Sequence, residues 1–182
     1  QPALLTLVKV VDNGTTGATR VPADWTLTAS GTTTVTGAGN SAAVTSQSVP
    51  AGAYALSEAG PAGYTASAWS CTGGTLTGTS VTVPNGGNVT CTITNTAVSP
   101  RLTLVKTVDN GNTGATTRAT DWTLTAAGPS TITGATGAAT VTSAAVPVGS
   151  FDLSESGPAG YTASSWVCTG ATGSTTASVT LG

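Results

Sequence analysis

The chain contains two lysines and two glutamates, and each pair occupies matched points of a tandem repeat. Lys9 and Lys106 lie in Leu5-Thr-Leu-Val-Lys9 and Leu102-Thr-Leu-Val-Lys106, and Glu58 and Glu155 lie in Leu-Ser-Glu-x-Gly-Pro-Ala-Gly-Tyr. In a sequence with 7% charged residues, solubility does not explain a lysine and a glutamate at matched points. Side chains alternate along a strand. A strand through Leu5–Val11 therefore puts Leu5, Leu7, Lys9 and Val11 on one face, and a strand through Tyr54–Glu58 does the same for Tyr54, Leu56 and Glu58. Burying a lone ammonium or carboxylate costs several kcal/mol unless it is paired or neutralised. Their placement points to chemistry between them. A third polar group joins on the same grounds: in Val89–Asn95 the apolar face of Val89, Cys91 and Ile93 continues to Asn95.

The elements that position these groups read as all-β. Runs of four to eight residues rich in Thr and Val alternate with Gly, Pro and Asn turns. In the first repeat we expect strands near 4–11, 24–29, 33–37, 42–49, 53–58, 64–71, 79–83 and 88–95. No segment shows a helical period with caps. Asp12-Asn13-Gly14 and Asp109-Asn110-Gly111 are turn signals, since Asn-Gly readily supplies positive φ. A calcium loop would need further oxygen ligands that the sequence does not place there. The repeat offset is 97 positions, from Lys9 to Lys106, and Asp24-Trp25 to Asp121-Trp122 and Pro61 to Pro158 keep it. Two domains follow, residues 1–98 and 99–182, divided where Ser99-Pro100 interrupts strand pairing. The linker is short, so a rod of two beads is the expected shape.

The second repeat closes on Ser178-Val-Thr-Leu-Gly182, before any counterpart of Cys91 or Asn95. Two readings stand side by side: a sequence cut short, or a last strand given by a neighbouring molecule. Cys71 and Cys91 share one repeat, which suggests a disulfide and an oxidising compartment, and zinc would need more ligands than three cysteines and no histidine offer. Cys168 repeats Cys71 and is expected to be free or paired outside its own unit. Trp69 and Trp166 share parity with Cys71 and Cys168 and are expected to pack in the core beside them. Asp24 and Asp121 point away from the Trp-Leu face, which suits surface or turn roles.

The motifs Tyr54-Ala-Leu-Ser-Glu58-Ala-Gly-Pro-Ala-Gly-Tyr64 and Phe151-Asp-Leu-Ser-Glu155-Ser-Gly-Pro-Ala-Gly-Tyr161 resemble the Cna B-type, prealbumin-like (SpaA-like) domains of Gram-positive pilins and surface adhesins. Thr92-Ile-Thr-Asn95 looks like that family's closing strand, and Lys9 matches its first-strand lysine. The resemblance covers the first repeat and the second up to its last strand. It implies two tandem immunoglobulin-like or prealbumin-like β-sandwiches. It also implies that the lysine amine attacks the asparagine side-chain carbonyl, that ammonia leaves, and that the glutamate shuttles protons. On that pattern Lys9 and Asn95 are the isopeptide partners, Lys106 is the second repeat's lysine, and Glu58 and Glu155 are the proton carriers. Removal from water favours the neutral forms of amines and carboxyls alike, which suits this chemistry. A neutral amine is the nucleophile and a protonated carboxyl polarises the carbonyl. The reaction happens once per molecule, so it is self-modification rather than enzyme turnover.

Composition narrows the function classes. The net charge is -2 and there is no basic run, which speaks against nucleic acid and anionic membranes as partners. Without histidine, Ser–His and Cys–His catalytic pairs are impossible, and no cofactor is called for. The leading expectation is a stalk or spacer of a secreted or wall-attached surface protein, outside the cell, with neighbouring domains of the same protein or filament as its partners. Alternatives are a filament subunit completed by a neighbour's strand, and a module that binds sugars, ice or a host protein.

Overall fold

A computed structural model describes residues 1–171 and 178–181. The chain divides into two compact units, residues 1–14 with 18–98, and residues 99–182 with 15–17. In the first, the strands are β1 (Ala3–Asp12), β2 (Thr26–Ser30), β3 (Thr34–Ala38), β4 (Gln47–Val49), β5 (Gly52–Ala59), β6 (Tyr64–Ala66), β7 (Ser70–Thr72), β8 (Thr75–Thr77), β9 (Ser80–Val83) and β10 (Asn88–Ala97). In the second they are β11 (Arg101–Leu102), β12 (Thr123–Ala127), β13 (Thr131–Gly134), β14 (Ala144–Ala145), β15 (Gly149–Ser156) and β16 (Ser178–Leu181).

Unit one is a sandwich of two sheets. One runs β4-β1-β10-β6, with β7 also on β10, and the other runs β3-β2-β5-β9-β8. β1 and β10, the first and last strands, pair in parallel from Leu4↔Asn88 to Asp12↔Thr96, and the other pairs are antiparallel. Alternation sorts the faces. Ala3, Leu5 and Leu7 of β1 and Val89, Cys91 and Ile93 of β10 meet Leu27, Ala29, Tyr54, Leu56, Val81 and Val83 of the facing sheet in one buried cluster. Each fully buried Leu, Val or Tyr of this kind contributes about 1.5–3 kcal/mol over its exposed state. Trp69 packs in this cluster with Cys91 and the partly buried Cys71. Cys71 and Cys91 face each other across the β7–β10 ladder and are joined by a disulfide.

The β1 run ends in the Asp12-Asn13-Gly14 turn. The Gly14 N–H donates to Asp12 Oδ1 at 2.9 Å, the Asn13 amide donates to the Arg20 carbonyl at 3.0 Å, and Gly14 sits at φ 49°. Four strand assignments differ from the sequence expectation. The 64–71 run is two short strands, β6 and β7, with residues 67–69 outside any ladder between them. The 42–49 segment splits into a 3-10 turn, Ala42–Val44, and the short β4, because Ser46 takes a positive φ between them. The 24–29 strand begins at Thr26, since Asp24 closes a 3-10 turn opened by Pro22 and accepts the Val21 N–H at 3.0 Å. β8 was not expected: it is three residues long and set between Gly74 and Gly78, so it reads as turn.

Unit two keeps the second sheet and lacks the order of the first. β13-β12-β15-β16 mirrors β3-β2-β5-β9, and Phe151, Leu153, Leu124, Trp122 and Val179 form its core. The repeat places β1's counterpart at 100–109, where a full strand was expected. Only Arg101–Leu102 pairs, with β14, and residues 103–110 carry no strand assignment. Their physical lack is a neighbour, because no described residues occupy β10's place beside them. Alternation survives nonetheless: Leu104 is buried, Leu102, Lys106 and Val108 are half-buried, and Thr103, Val105 and Thr107 are exposed.

Candidate functional site

Three strands bring the amine, the carboxyl and the carboxamide together in unit one. Lys9 comes from β1 and Asn95 from β10, one diagonal step apart in a register that pairs Lys9 with Ile93 and Val11 with Asn95. Glu58 comes from β5 in the opposite sheet, paired with Leu27 of β2. The three side chains therefore meet between the sheets. The Lys9 Nζ donates to Glu58 Oε2 at 2.6 Å and also to Asn95 Oδ1. Lys9 is 1% exposed and Asn95 5%, so the amine and the carboxamide are both out of water.

The surroundings hold the amine in place. Its nitrogen lies 4.9 Å from the centroid of the Trp25 ring, which covers it as an aromatic face covers a cation. Trp25 is pinned edge-on by Tyr64, with centroids 5.0 Å apart at 86°, and the Tyr64 hydroxyl donates to Asn13 Oδ1 at 2.5 Å. Gly60 lies flat against the indole: a Cβ there would fall 2.2 Å from Trp25 Cδ1. Gly39 closes over the lysine stem, where a Cβ would fall 2.4 Å from the Pro22 carbonyl oxygen and 2.7 Å from Lys9 Cβ. Asn40, at φ 62°, reaches the lysine backbone where β4 no longer pairs with it: its Oδ1 accepts the Lys9 N–H and its amide donates to the Lys9 carbonyl, both at 2.9 Å.

Tyr64, Gly60, Gly39 and Asn40 had no assigned role in the sequence reading. Tyr64 and Gly60 stand inside the Leu-Ser-Glu-x-Gly-Pro-Ala-Gly-Tyr motif, so their recurrence was a visible signal. Asn40 had none beyond the Gly-Asn pair.

Unit two repeats part of this arrangement. Lys106 Nζ donates to Glu155 Oε1 at 2.7 Å and lies 5.1 Å from the Trp122 centroid. Trp122 meets Tyr161 at 5.0 Å and 85°, Tyr161 donates to Asn110 Oδ1 at 2.6 Å, and Gly157 lies against the indole as Gly60 does. The Lys106 N–H finds Thr136 Oγ1 at 2.7 Å in place of the asparagine. No carboxamide joins the pair among the described residues. The side chains of Lys106 and Glu155 are 16% and 21% exposed, against 0% and 13% for Lys9 and Glu58. Asp24 and Asp121 are exposed and sit in their 3-10 turns, each accepting a backbone N–H three residues back. Cys168 is free and partly buried, packed with Trp166 against the second core.

The arrangement offers a nucleophile, an acceptor carbonyl and a proton carrier within hydrogen-bond contact, shielded by an indole. A family model described as a prealbumin-like fold domain matches residues 1–93 and again 98–182. No curated protein and no solved structure gives a significant match to the chain.

Proposed function

Because the chain belongs to the SpaA-type prealbumin-like fold domain family over both of its units, we propose that it is a stalk or spacer segment of a secreted or wall-attached bacterial surface protein, with unit one locked by a Lys9–Asn95 isopeptide bond. Domains of this family are typical of bacterial surface and pilin proteins, and pilin domains of this kind are structural. The observation that carries the reading is the contact of one buried amine with both a carboxyl and a carboxamide.

The chemistry is an amide exchange. Lys9 Nζ, neutral after passing a proton to Glu58, attacks Cγ of Asn95. The polarised carbonyl holds the developing charge, Glu58 returns the proton to the leaving nitrogen, and ammonia departs. Fixed positions in a packed core replace a bimolecular encounter. The bond closes a loop across 86 positions, which chain-entropy reasoning values at about 4–5 kcal/mol. Glu58 acts within hydrogen-bond reach of the reacting nitrogen, and Trp25 keeps water from the site.

Intact-mass measurement tests this directly. After reduction of the disulfide, the chain is expected to weigh one ammonia less than its sequence, with Lys9 and Asn95 recovered in one branched peptide after digestion. Lys9→Ala and Glu58→Ala are expected to show their full calculated masses. A native chain at full sequence mass would leave a buried ion pair and no crosslink.

A further inference from the structure

β10 carries Asn95 to Lys9, and its own sequence says little about where along β1 it should stop. Its outward positions are Thr90, Thr92, Thr94 and Thr96, four copies of one side chain, and its inward positions Val89, Cys91 and Ile93 are all apolar. β1 sets Leu5 and Leu7 beside them. Sliding β10 by two residues keeps its apolar side chains inside and its threonines outside, because the side-chain period is two. No hairpin turn supplies the missing information, since β9 and β10 lie in different sheets. The backbone bonds that lead into β10, from Leu4 N–H to the Gly87 carbonyl at 2.8 Å and from Gly86 N–H to the Gln1 carbonyl at 3.1 Å, are blind to side chains. Yet the site depends on the register. A slip of two residues moves Asn95 by about 6.4–6.8 Å along β1, more than twice a hydrogen-bond length, and sets Ile93 or Ala97 before the amine instead.

Two side-chain contacts tell the native register from its neighbours. One is Asn95 to Lys9 itself. The other is Cys91 to Cys71, directly opposite each other in a β7–β10 ladder of three pairs. β7 is anchored by Trp69, two residues before Cys71, which packs in the core. Asn95 stands four residues beyond Cys91 on the same face, so holding Cys91 opposite Cys71 holds the carboxamide at the amine. The two cysteines differ in access. Cys91 is fully buried and Cys71 only partly, so a reagent in solution meets Cys71 first.

We propose that the Cys71–Cys91 disulfide is a redox-controlled register pin: its formation sets β10 against β1 in the alignment that brings Asn95 to Lys9, and without it β10 also settles two residues away. With a small disulfide such as oxidised glutathione as oxidant, the Cys71 thiolate attacks it, forming a mixed disulfide and releasing one glutathione. As β10 docks, the Cys91 thiolate attacks the Cys71 sulfur and the second glutathione leaves. Two protein thiols are oxidised, one reagent disulfide is reduced, and the two thiol protons pass to the released glutathione. The pin stands on the strand pattern and the cysteine pair alone, whereas its control over crosslinking rests on the Lys9–Asn95 reading. Covalent closure of unit one is thereby confined to an oxidising compartment.

The test uses the whole chain in a Cys168→Ser background, made by cell-free synthesis with dithiothreitol or with oxidised glutathione, beside a chain carrying Cys71→Ala and Cys91→Val. Mass spectrometry of digests follows the branched Lys9–Asn95 peptide over time. Roughly tenfold less of it, or lower still, is expected from the reduced chain and from the Ala/Val chain, because the reacting groups are misplaced. Oxidised glutathione added later is expected to start crosslinking only in the chain with both cysteines, the disulfide forming first. Lys9→Ala, which cannot crosslink, reads the register by nuclear magnetic resonance. Backbone Overhauser contacts are expected to pair Leu7 with Cys91 alone when oxidised, and also with Val89 or Ile93 when reduced. Equal crosslinking with and without the disulfide, or a single register in reduced Lys9→Ala, overturns the pin. Loss of the whole β signal of unit one on reduction overturns it too, since the bond then holds the unit and not one alignment. If the oxidised chain forms no branched peptide, the crosslink reading fails, and the Overhauser contacts alone decide the pin.

Discussion

Unit one and unit two set the same lysine, glutamate, tryptophan, tyrosine and glycine around one point, yet among the described residues only unit one has a strand beside its lysine. The ion pair hardly notices: 2.6 Å in one, 2.7 Å in the other, with the indole 4.9 and 5.1 Å away. The backbone does notice. β1 is a ten-residue strand, whereas its counterpart pairs over two residues only. The comparison separates two causes that a single domain would merge. Packing of the lysine stem between an indole and a carboxyl depends on the β2–β5 side of the sandwich, which both units have. Strand order in the first segment depends on the neighbour it pairs with. In unit two the lysine, carboxyl and indole are thus in place with no such strand among the described residues.

The sharpest way to break the comparison is to remove each lysine in turn. With the proposed crosslink in place, Lys9→Ala is expected to cost unit one about 4–5 kcal/mol by removing it, roughly 20–30 °C in its melting transition for a domain of this size. Lys106→Ala is expected to cost unit two about 1 kcal/mol or less, because its pair is partly solvated and closes no loop. Scanning calorimetry of the two variants reads both, and equal losses would show that the units hold their lysines for the same reason.

Next in size is the disulfide. Cys71→Ser is expected to lower unit one by about 3 kcal/mol, given a closed loop of 20 residues, and to leave unit two unchanged. Thiol labelling of the native chain should mark Cys168 and spare Cys71 and Cys91. Uniform labelling of all three would undo the distinction.

A smaller effect tests what the units share. Gly60→Ala and Gly157→Ala each drive a methyl into an indole and are expected to cost about 1–3 kcal/mol, with a matching shift in tryptophan fluorescence. A loss in only one unit would mean that the tryptophan shelf is not common to both. Smallest is Tyr64→Phe against Tyr161→Phe, where one hydrogen bond to Asn13 or Asn110 is worth about 1 kcal/mol. Chemical denaturation with a difference between the two beyond that range would point to further work done by one hydroxyl.

Much of this was legible because a period of two is robust. Parity alone put Leu5, Leu7 and Lys9 inward on β1, Tyr54 and Leu56 on β5, and Val89 to Asn95 on β10, and the same alternation marks Leu102 to Val108 without a ladder. Pairing is less legible, since it depends on partners far away in sequence. The first strand of unit two read as a strand from nearly the same letters that make β1, and among the described residues it lacks the neighbour that β10 gives β1. Short pieces escaped for another reason. β4 and β8 are each three residues long, too short for alternation to register, and their limits come from Ser46 at positive φ and from flanking glycines. Within the site, the chemistry-bearing side chains were visible by rarity. The residues that hold them, Asn40 and Gly39, are ordinary in a chain with 24 glycines and were not.

The parallel run of β1 beside β10 bears on how far the protein can be stretched. A pull on the two ends of unit one draws these strands along each other, so the ladder from Leu4↔Asn88 to Asp12↔Thr96 is loaded in shear as a set rather than unzipped one bond at a time. Lys9 and Asn95 sit near the far end of that overlap. With a covalent link between them, tension passes along the first seven residues of β1, across the link, and out through the last two of β10. The 86 positions in between are withheld from extension, about 280–310 Å of contour length that the unit never releases. Under load such a linked unit behaves as a nearly inextensible bead, and extension must come from parts of the chain outside the linked span.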